Sequence, residues 1–193
     1  MALARRSTGC YKEAMNFKET KISGVFEIVP ELKGDERGHF ARIFCENELR
    51  EHGIAFRIRQ INRSSNKTKG TLRGFHFQKH PRWEAKITQA LSGSFYVVIV
   101  DLRPDSKTFK QWVSLELSAQ KKNLLYSPIG CANAFLTLAD NSEMLYLMSE
   151  FYSPEHASGF SCKDPEVNVQ WPFAPTIVSP KDAELPFLKD ISL

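Results

Sequence analysis

Little in this sequence invites a metal, a redox pair or a membrane. No H-x-H occurs anywhere, so the closely spaced imidazole pair by which many small β-barrels bind metal is missing. His76 and His80 would share one face of a strand, but at 3.3 Å per residue they would stand about 13 Å apart. C-x-x-C is absent too. The four cysteines, Cys10, Cys45, Cys131 and Cys162, are scattered. They read as free thiols of a cytoplasmic protein rather than as zinc ligands or disulfides. No apolar run approaches the ~18 residues of a spanning helix. The opening MALARRSTGC holds no long apolar segment of the secretory type, so no leader is expected. G-x-G-x-x-G, the P-loop and strand–helix alternation are all missing, which disfavours a nucleotide-binding α/β fold. Basic residues form no block, and the net charge is only +4. Nucleic acid is therefore not the expected partner, whereas a small anionic substrate suits a mildly basic surface.

What is present is a core. Of 193 residues 42% are hydrophobic, and 14 are phenylalanine, enough for one large domain. Residues 1–14 read as an N-terminal extension expected to lack order, with Met15 as an alternative start and residues 15–193 as one domain. From Phe17 onward come short segments rich in β-branched and aromatic residues, each bounded by Gly, Pro, Asn, Asp or Ser. GVFEIVPEL, FRIRQINRSS, TLRGFHFQ, EAKITQALSG, SFYVVIVDLR, WVSLELS, CANAFLTLAD and EMLYLMSEFY are the clearest. Evenly spaced short strands predict a mainly all-β fold, an antiparallel sandwich, jelly roll or barrel. One short helix is expected at 46–52, ended by Gly53. The proline-bearing tail 173–193 is expected to wrap the surface, with a second short helix at 181–185.

TLRGFHFQ carries the first chemical hint. His76 alternates with Phe75 and Phe77, so it faces away from both. Arg73 would share its face only if a twist or bulge intervenes. A lone histidine of this kind is most simply a hydrogen-bonded core residue. Arg73 and the later Lys86 shift that balance, because interior cations are costly unless paired or set against an anion. YSPIGCANAF places a turn, read as a hairpin, before a strand in which Asn133 is the amide able to face inward. EMLYLMSEFYSPE offers Glu143, Tyr146 and Tyr152; a tyrosine there is a core aromatic or a general acid. Asp164, before Pro165, is an Asx-turn residue or the partner that fixes the tautomer of His76.

Taken in order, these motifs resemble the dTDP-4-dehydrorhamnose 3,5-epimerases of nucleotide-sugar metabolism. The resemblance runs from about Phe17 to Pro172, through FKETKISGVFEIVPELKGDERGHFARIF, RQINRSSN, TLRGFHFQ, EAKITQALSGSFYVVIVDLRPDSKTFKQW, YSPIGCANAF, EMLYLMSEFYSPE and KDPEVNVQWP. It implies a jelly-roll cupin barrel with short peripheral helices, a homodimer with strand exchange, no cofactor and no metal. It also implies proton removal beside a C4 ketone of a nucleotide-linked hexose and its return on the opposite face. By matched position, His76 would be the base and Asp164 its partner. Tyr146 would be the opposing acid, and Lys86 would stabilise the enolate oxygen. Arg73, Gln60 and Asn62 would line the sugar and diphosphate region. Arg37 and Tyr152 would hold the nucleotide, Arg37 reaching into the partner subunit, and Asn133, Glu143 and Lys163 complete the substrate-binding set. Two departures stand out. The family's turn commonly reads G-F-A-H-G-F where this chain has GCANAF, so Asn133 replaces a proton carrier. Trp83 and Glu84 precede Lys86 where small residues and glutamine are usual. Inversion at C3, at C5 or at both stays open on this reading. So do a 3,4-ketoisomerase and a non-catalytic sugar-nucleotide-binding cupin.

Overall fold

The computed structural model describes residues 14–193. The extension proposed for residues 1–14, and Cys10 with it, falls outside them except for Ala14, which is buried beside the first strand. Two six-stranded sheets, antiparallel except for one short strand, dominate the fold. In the first, the spatial order is β1 (Met15–Glu19), β2 (Phe26–Pro30), β10 (Leu124–Ser127), β7 (Lys86–Ser92), β12 (Ser142–Met148) and β5 (Gln60–Asn66). In the second it is β13 (Ala157–Gly159), β6 (Thr71–Gln78), β11 (Cys131–Thr137), β8 (Ser94–Asp101) and β9 (Trp112–Ser118). The sixth strand of that sheet, β14 (Ile177–Val178), runs parallel to the start of β6. A separate exposed hairpin joins β3 (Lys33–Asp35) to β4 (Gly38–Phe40). The sheets lie face to face as a jelly-roll sandwich rather than closing into one hydrogen-bonded ring.

The central strands of each sheet are covered on both faces, which explains why several read as near-continuous apolar runs instead of clean alternation. Between the sheets lie Phe95, Val97, Ile99, Leu125 and Met144. The outer face of the first sheet is covered by α1 (Glu46–Glu51) and the segment around it, with Leu49, Ile54 and Phe56 packed on Ile28, Ile87 and Leu147. Gly53, at φ +75°, ends that helix as the sequence predicts. The outer face of the second sheet is covered by the C-terminal tail. Phe160 stacks on Phe75, ring centroids 4.6 Å apart at 7°, and Leu188 closes the cluster. Truncating a ring so enclosed costs about 3–5 kcal/mol. Most of the tail 173–193 is exposed and wraps the surface, as expected, while Leu188 is buried in this cluster. Its helix, α2 (Pro180–Ala183), is one turn long and starts slightly earlier than expected. The YSPIG turn also differs from its reading as a hairpin. Ser127 ends β10 in one sheet and Cys131 begins β11 in the other, so the turn carries the chain across the sandwich. Among the described residues, no helix is long and apolar enough to cross a membrane.

Candidate active site

A cavity of about 550 Å³ opens between the two sheets at the end where β6, β7 and β12 meet. Its floor on the first sheet is set by strand register. Gln60, Met148 and Lys86 lie abreast on β5, β12 and β7, and two residues along the strands Asn62, Tyr146 and Thr88 form the next row. Residues two apart on a strand share a face, so both rows point into the cavity. Their order is reinforced laterally. Gln60 Nε2 donates to Asn62 Oδ1 at 3.3 Å, and the Tyr152 amide donates to Gln60 Oε1 at 2.8 Å, which brings Tyr152 to the rim.

The opposite wall comes from β6 and β11. His76 pairs with Asn133, and Arg73 pairs with Phe135, so three steps along β6 match two along β11. This bulge is the irregularity that the sequence required for Arg73 and His76 to share a face, and both line the cavity. Gly74 makes it possible. Its φ is +113°, and a Cβ there would stand 2.6 Å from the Asn133 carbonyl oxygen. Arg73 is steadied by donation from Nε to Asn66 Oδ1 at 2.9 Å. Asn133 faces inward as expected and donates from Nδ2 to Ser127 Oγ at 3.3 Å.

The carboxylate beside His76 is Asp182, not Asp164. His76 Nε2 lies 2.8 Å from Asp182 Oδ1, and the Gly74 amide donates to Asp182 Oδ2 at 3.2 Å. Asp182 sits on α2, where Ser179 Oγ caps the Asp182 amide at 3.1 Å. The covered partner leaves Nδ1 as the ring nitrogen free to take a proton. Asp164 fulfils its other reading. Its Oδ1 accepts from the Glu166 and Val167 amides at 2.9 and 3.0 Å, and its Oδ2 accepts from the Leu188 amide at 2.6 Å. Both oxygens are committed to backbone amides, and Asp164 is not part of the cavity wall.

Lys86 and Tyr146 complete the polar lining. The Lys86 ammonium lies 2.7 Å from Glu84 Oε1, with both side chains almost enclosed, 12% and 5% exposed. Burial pushes the Tyr146 phenol above its ordinary range. The charge of Glu84 acts in the same direction, and Arg73 opposes it. A phenol held protonated in this way remains a proton donor. Three expected residues lie elsewhere. Arg37 is 89% exposed on the β3–β4 turn and paired with Asp35. Glu143 pairs with Arg63, away from the cavity, and Lys163 is exposed beside the Asp164 turn. Sequence reasoning missed Asp182, its neighbour Lys181 on the wall, and the part played by Glu84. The signal for Asp182 was the run Ser179-Pro180-x-Asp182, a cap with Pro at the first helical position, which marks a helix start but not what lies opposite it. Among the described residues, no group of three or more His, Cys, Asp and Glu is placed to hold a metal ion.

This arrangement has counterparts among known proteins. Residues 19–190 match the pattern of the family described as dTDP-4-dehydrorhamnose 3,5-epimerase. A Shigella flexneri protein of that name is 37% identical over 169 residues, spanning 87% of this chain and 93% of its own. The crystal structure of dTDP-4-dehydrorhamnose 3,5-epimerase from Bacillus anthracis, with TDP and PPi bound, superposes with a TM-score of 0.88. It is 40% identical, over 91% of this chain and all of that one. A Legionella pneumophila dTDP-6-deoxy-D-glucose-3,5-epimerase in complex with dTDP-4-keto-L-rhamnose gives a TM-score of 0.87 at 35% identity, covering 92% of this chain and 95% of its own.

Proposed function

This chain belongs to the dTDP-4-dehydrorhamnose 3,5-epimerase family, and from that premise we propose that it inverts carbons flanking the C4 ketone of a dTDP-linked 4-keto-6-deoxy hexose. It is then an isomerase of deoxysugar and polysaccharide biosynthesis. The observation that carries the reading is the two-sided cavity: an imidazole held by a carboxylate on one sheet, a protonated phenol on the other, and an ammonium beside them.

His76 takes the proton from the carbon next to the ketone, using Nδ1 while Asp182 holds Nε2. Such a proton is too weakly acidic for imidazole unless the enolate is stabilised as it forms, and Lys86, itself largely shielded from water, supplies a cation for its oxygen. Tyr146 returns a proton from the opposite face, which is what inversion requires. Arg73, Gln60, Asn62, Asn133 and Tyr152 hold sugar and diphosphate, Arg73 because a guanidinium matches phosphate oxygens in a fork. Arg37 and Phe40 project on an exposed hairpin away from their own cavity, which supports a homodimer in which that hairpin reaches the partner's site. Buried free thiols at Cys131 and Cys162 agree with a cytoplasmic setting.

The test is incubation with dTDP-4-keto-6-deoxyglucose in D2O, followed by NMR. Deuterium enters at C3, C5 or both, and the uptake is abolished in His76→Ala. Tyr146→Phe retains exchange and loses inverted product. Absence of exchange with any such sugar refutes the reading, and a carbonyl relocated to C3 would make the protein a ketoisomerase.

A further inference from the structure

Among the described residues, only two buried side-chain oxygens or nitrogens lack a hydrogen-bond partner, Ser64 Oγ and Glu84 Oε2, and both belong to residues lining this cavity. Buried polar atoms are almost always satisfied, and a carboxylate oxygen without a donor carries a penalty well above that of a neutral group. Two orphans in one cavity, and none elsewhere in the described chain, mark places where a polar ligand supplies what the protein omits. Glu84 is the sharper case. Its side chain is only 5% exposed, and its other oxygen is already fixed on the Lys86 ammonium.

We propose that Glu84 Oε2 accepts a hydrogen bond from the substrate hydroxyl vicinal to the ketone, and so selects sugars that carry it. The inference rests on the functional reading above, in which Lys86 meets the oxygen at C4. In a 4-keto-6-deoxy hexopyranose the only hydroxyl adjacent to C4 is at C3. A carboxylate that grips the ammonium with one oxygen presents the second alongside it, as the C3 hydroxyl lies alongside the C4 oxygen. One Lys–Glu pair thus reads a keto-alcohol as a unit: the cation takes the carbonyl and the anion takes the hydroxyl. Glu84 is a specificity-determining residue, and it also positions Lys86.

The discriminating variant is Glu84→Gln. Its amide oxygen is the one group able to stay on the ammonium, so its NH2 occupies the place of Oε2 and the free acceptor becomes a donor. The measurement compares dTDP-4-keto-6-deoxyglucose with its 3-deoxy counterpart in wild type and variant. The readout is kcat/KM for deuterium uptake at the carbons flanking the ketone. The sugars differ in intrinsic acidity, so the wild-type preference is divided by the preference of the variant. The quotient is expected at roughly 10- to 100-fold, the worth of a hydrogen bond to a charged group. Should Glu84→Gln turn over too slowly, dissociation constants for the same two sugars from calorimetry give the quotient without catalysis. A quotient within about twofold of one by either measurement overturns the assignment and leaves Oε2 to water. Wild-type protein that exchanges neither sugar refutes the functional reading itself, a result distinct from exchange with an unaltered quotient.

Discussion

Two aspartates of the C-terminal third are buried alike and do different things. Asp164 and Asp182 are 4% and 5% exposed, and each lies next to a serine that organises its turn. Asp164 gives both oxygens to backbone amides, three in all, two within its own turn and one from Leu188. Asp182 has its amide capped by Ser179, so its carboxylate does not turn back on the helix. One oxygen takes the Gly74 amide and the other reaches His76. The carboxylate that keeps an oxygen free of its own backbone is the one available for chemistry. Burial, residue type and local turn chemistry do not separate the pair; the competition among donors does.

Substituting each aspartate should split rate from stability. Asp182→Asn keeps an acceptor for Gly74 but offers an amide NH2 to the imidazole, which imposes the other tautomer. Deuterium uptake and inversion should fall together by about 10²- to 10⁴-fold, with the melting temperature nearly unchanged. A rate within tenfold of wild type would show that the Asp182 contact is structural. Asp164→Ala should do the reverse. It strands three backbone donors, two of them in buried bonds, at a combined cost of roughly 3–5 kcal/mol. The melting temperature should drop by about 6–15 °C in calorimetry while kcat per folded molecule stays within about threefold. A large kcat loss with an unaltered melting temperature would return Asp164 to the site.

The same competition explains how much could be read beforehand. Strand content, the sandwich class and the helix ended by Gly53 are local matters of alternation and turn residues, and they were legible. The cavity also brings together His76, Lys86, Tyr146, Arg73, Gln60, Asn62, Asn133 and Tyr152, candidates that the sequence offered one by one. Even the bulge that turns Arg73 toward His76 was implied by requiring both on one face, although Gly74 alone did not place it. The partner of His76 was not legible, because 106 residues separate it from Asp182 and the contact depends on how the tail packs over Phe75. Asp-Pro at 164–165 is the louder local signal, and it reports a turn. Glu84 was visible as an oddity before Lys86, but only enclosure of both side chains shows that one of its oxygens is left over.

A milder change probes the route by which Asp182 is aimed. Ser179→Ala removes the cap, worth about 1 kcal/mol at such positions, and frees Asp182 to turn toward its own helix. The rate should fall by roughly fivefold. Ser179→Thr should restore it, and Ser161→Ala, the equivalent change in the Asp164 turn, should leave kcat untouched. Equal losses in Ser161→Ala and Ser179→Ala would mean that both turns act only through stability.

The smallest effect separates the two carboxylates by charge. Cys162 lies within the Asp164 turn. Burial chiefly pushes its thiol up, Lys163 and a backbone hydrogen bond oppose, and Asp182, the one of the two carboxylates whose charge reaches it, adds to the rise. A protein with Ser at positions 10 and 45 keeps only Cys131 besides it, and Cys131 is pushed up to about 12 by burial, so alkylation below that pH reports Cys162. Asp182→Asn should move the midpoint of alkylation rate against pH downward, and Asp164→Asn should leave it in place. The sign carries through to stability. A thiol whose folded pKa lies above its ordinary value of about 8.5 contributes stability that is complete below that pH and is lost as pH rises through the folded value. Asp182→Asn should therefore narrow the alkaline window over which this contribution is lost, and Asp164→Asn should lower stability without changing its slope above a pH of about 8.5. An equal shift of the midpoint in both variants would mean that the turn's geometry, rather than the charge held against His76, sets the thiol.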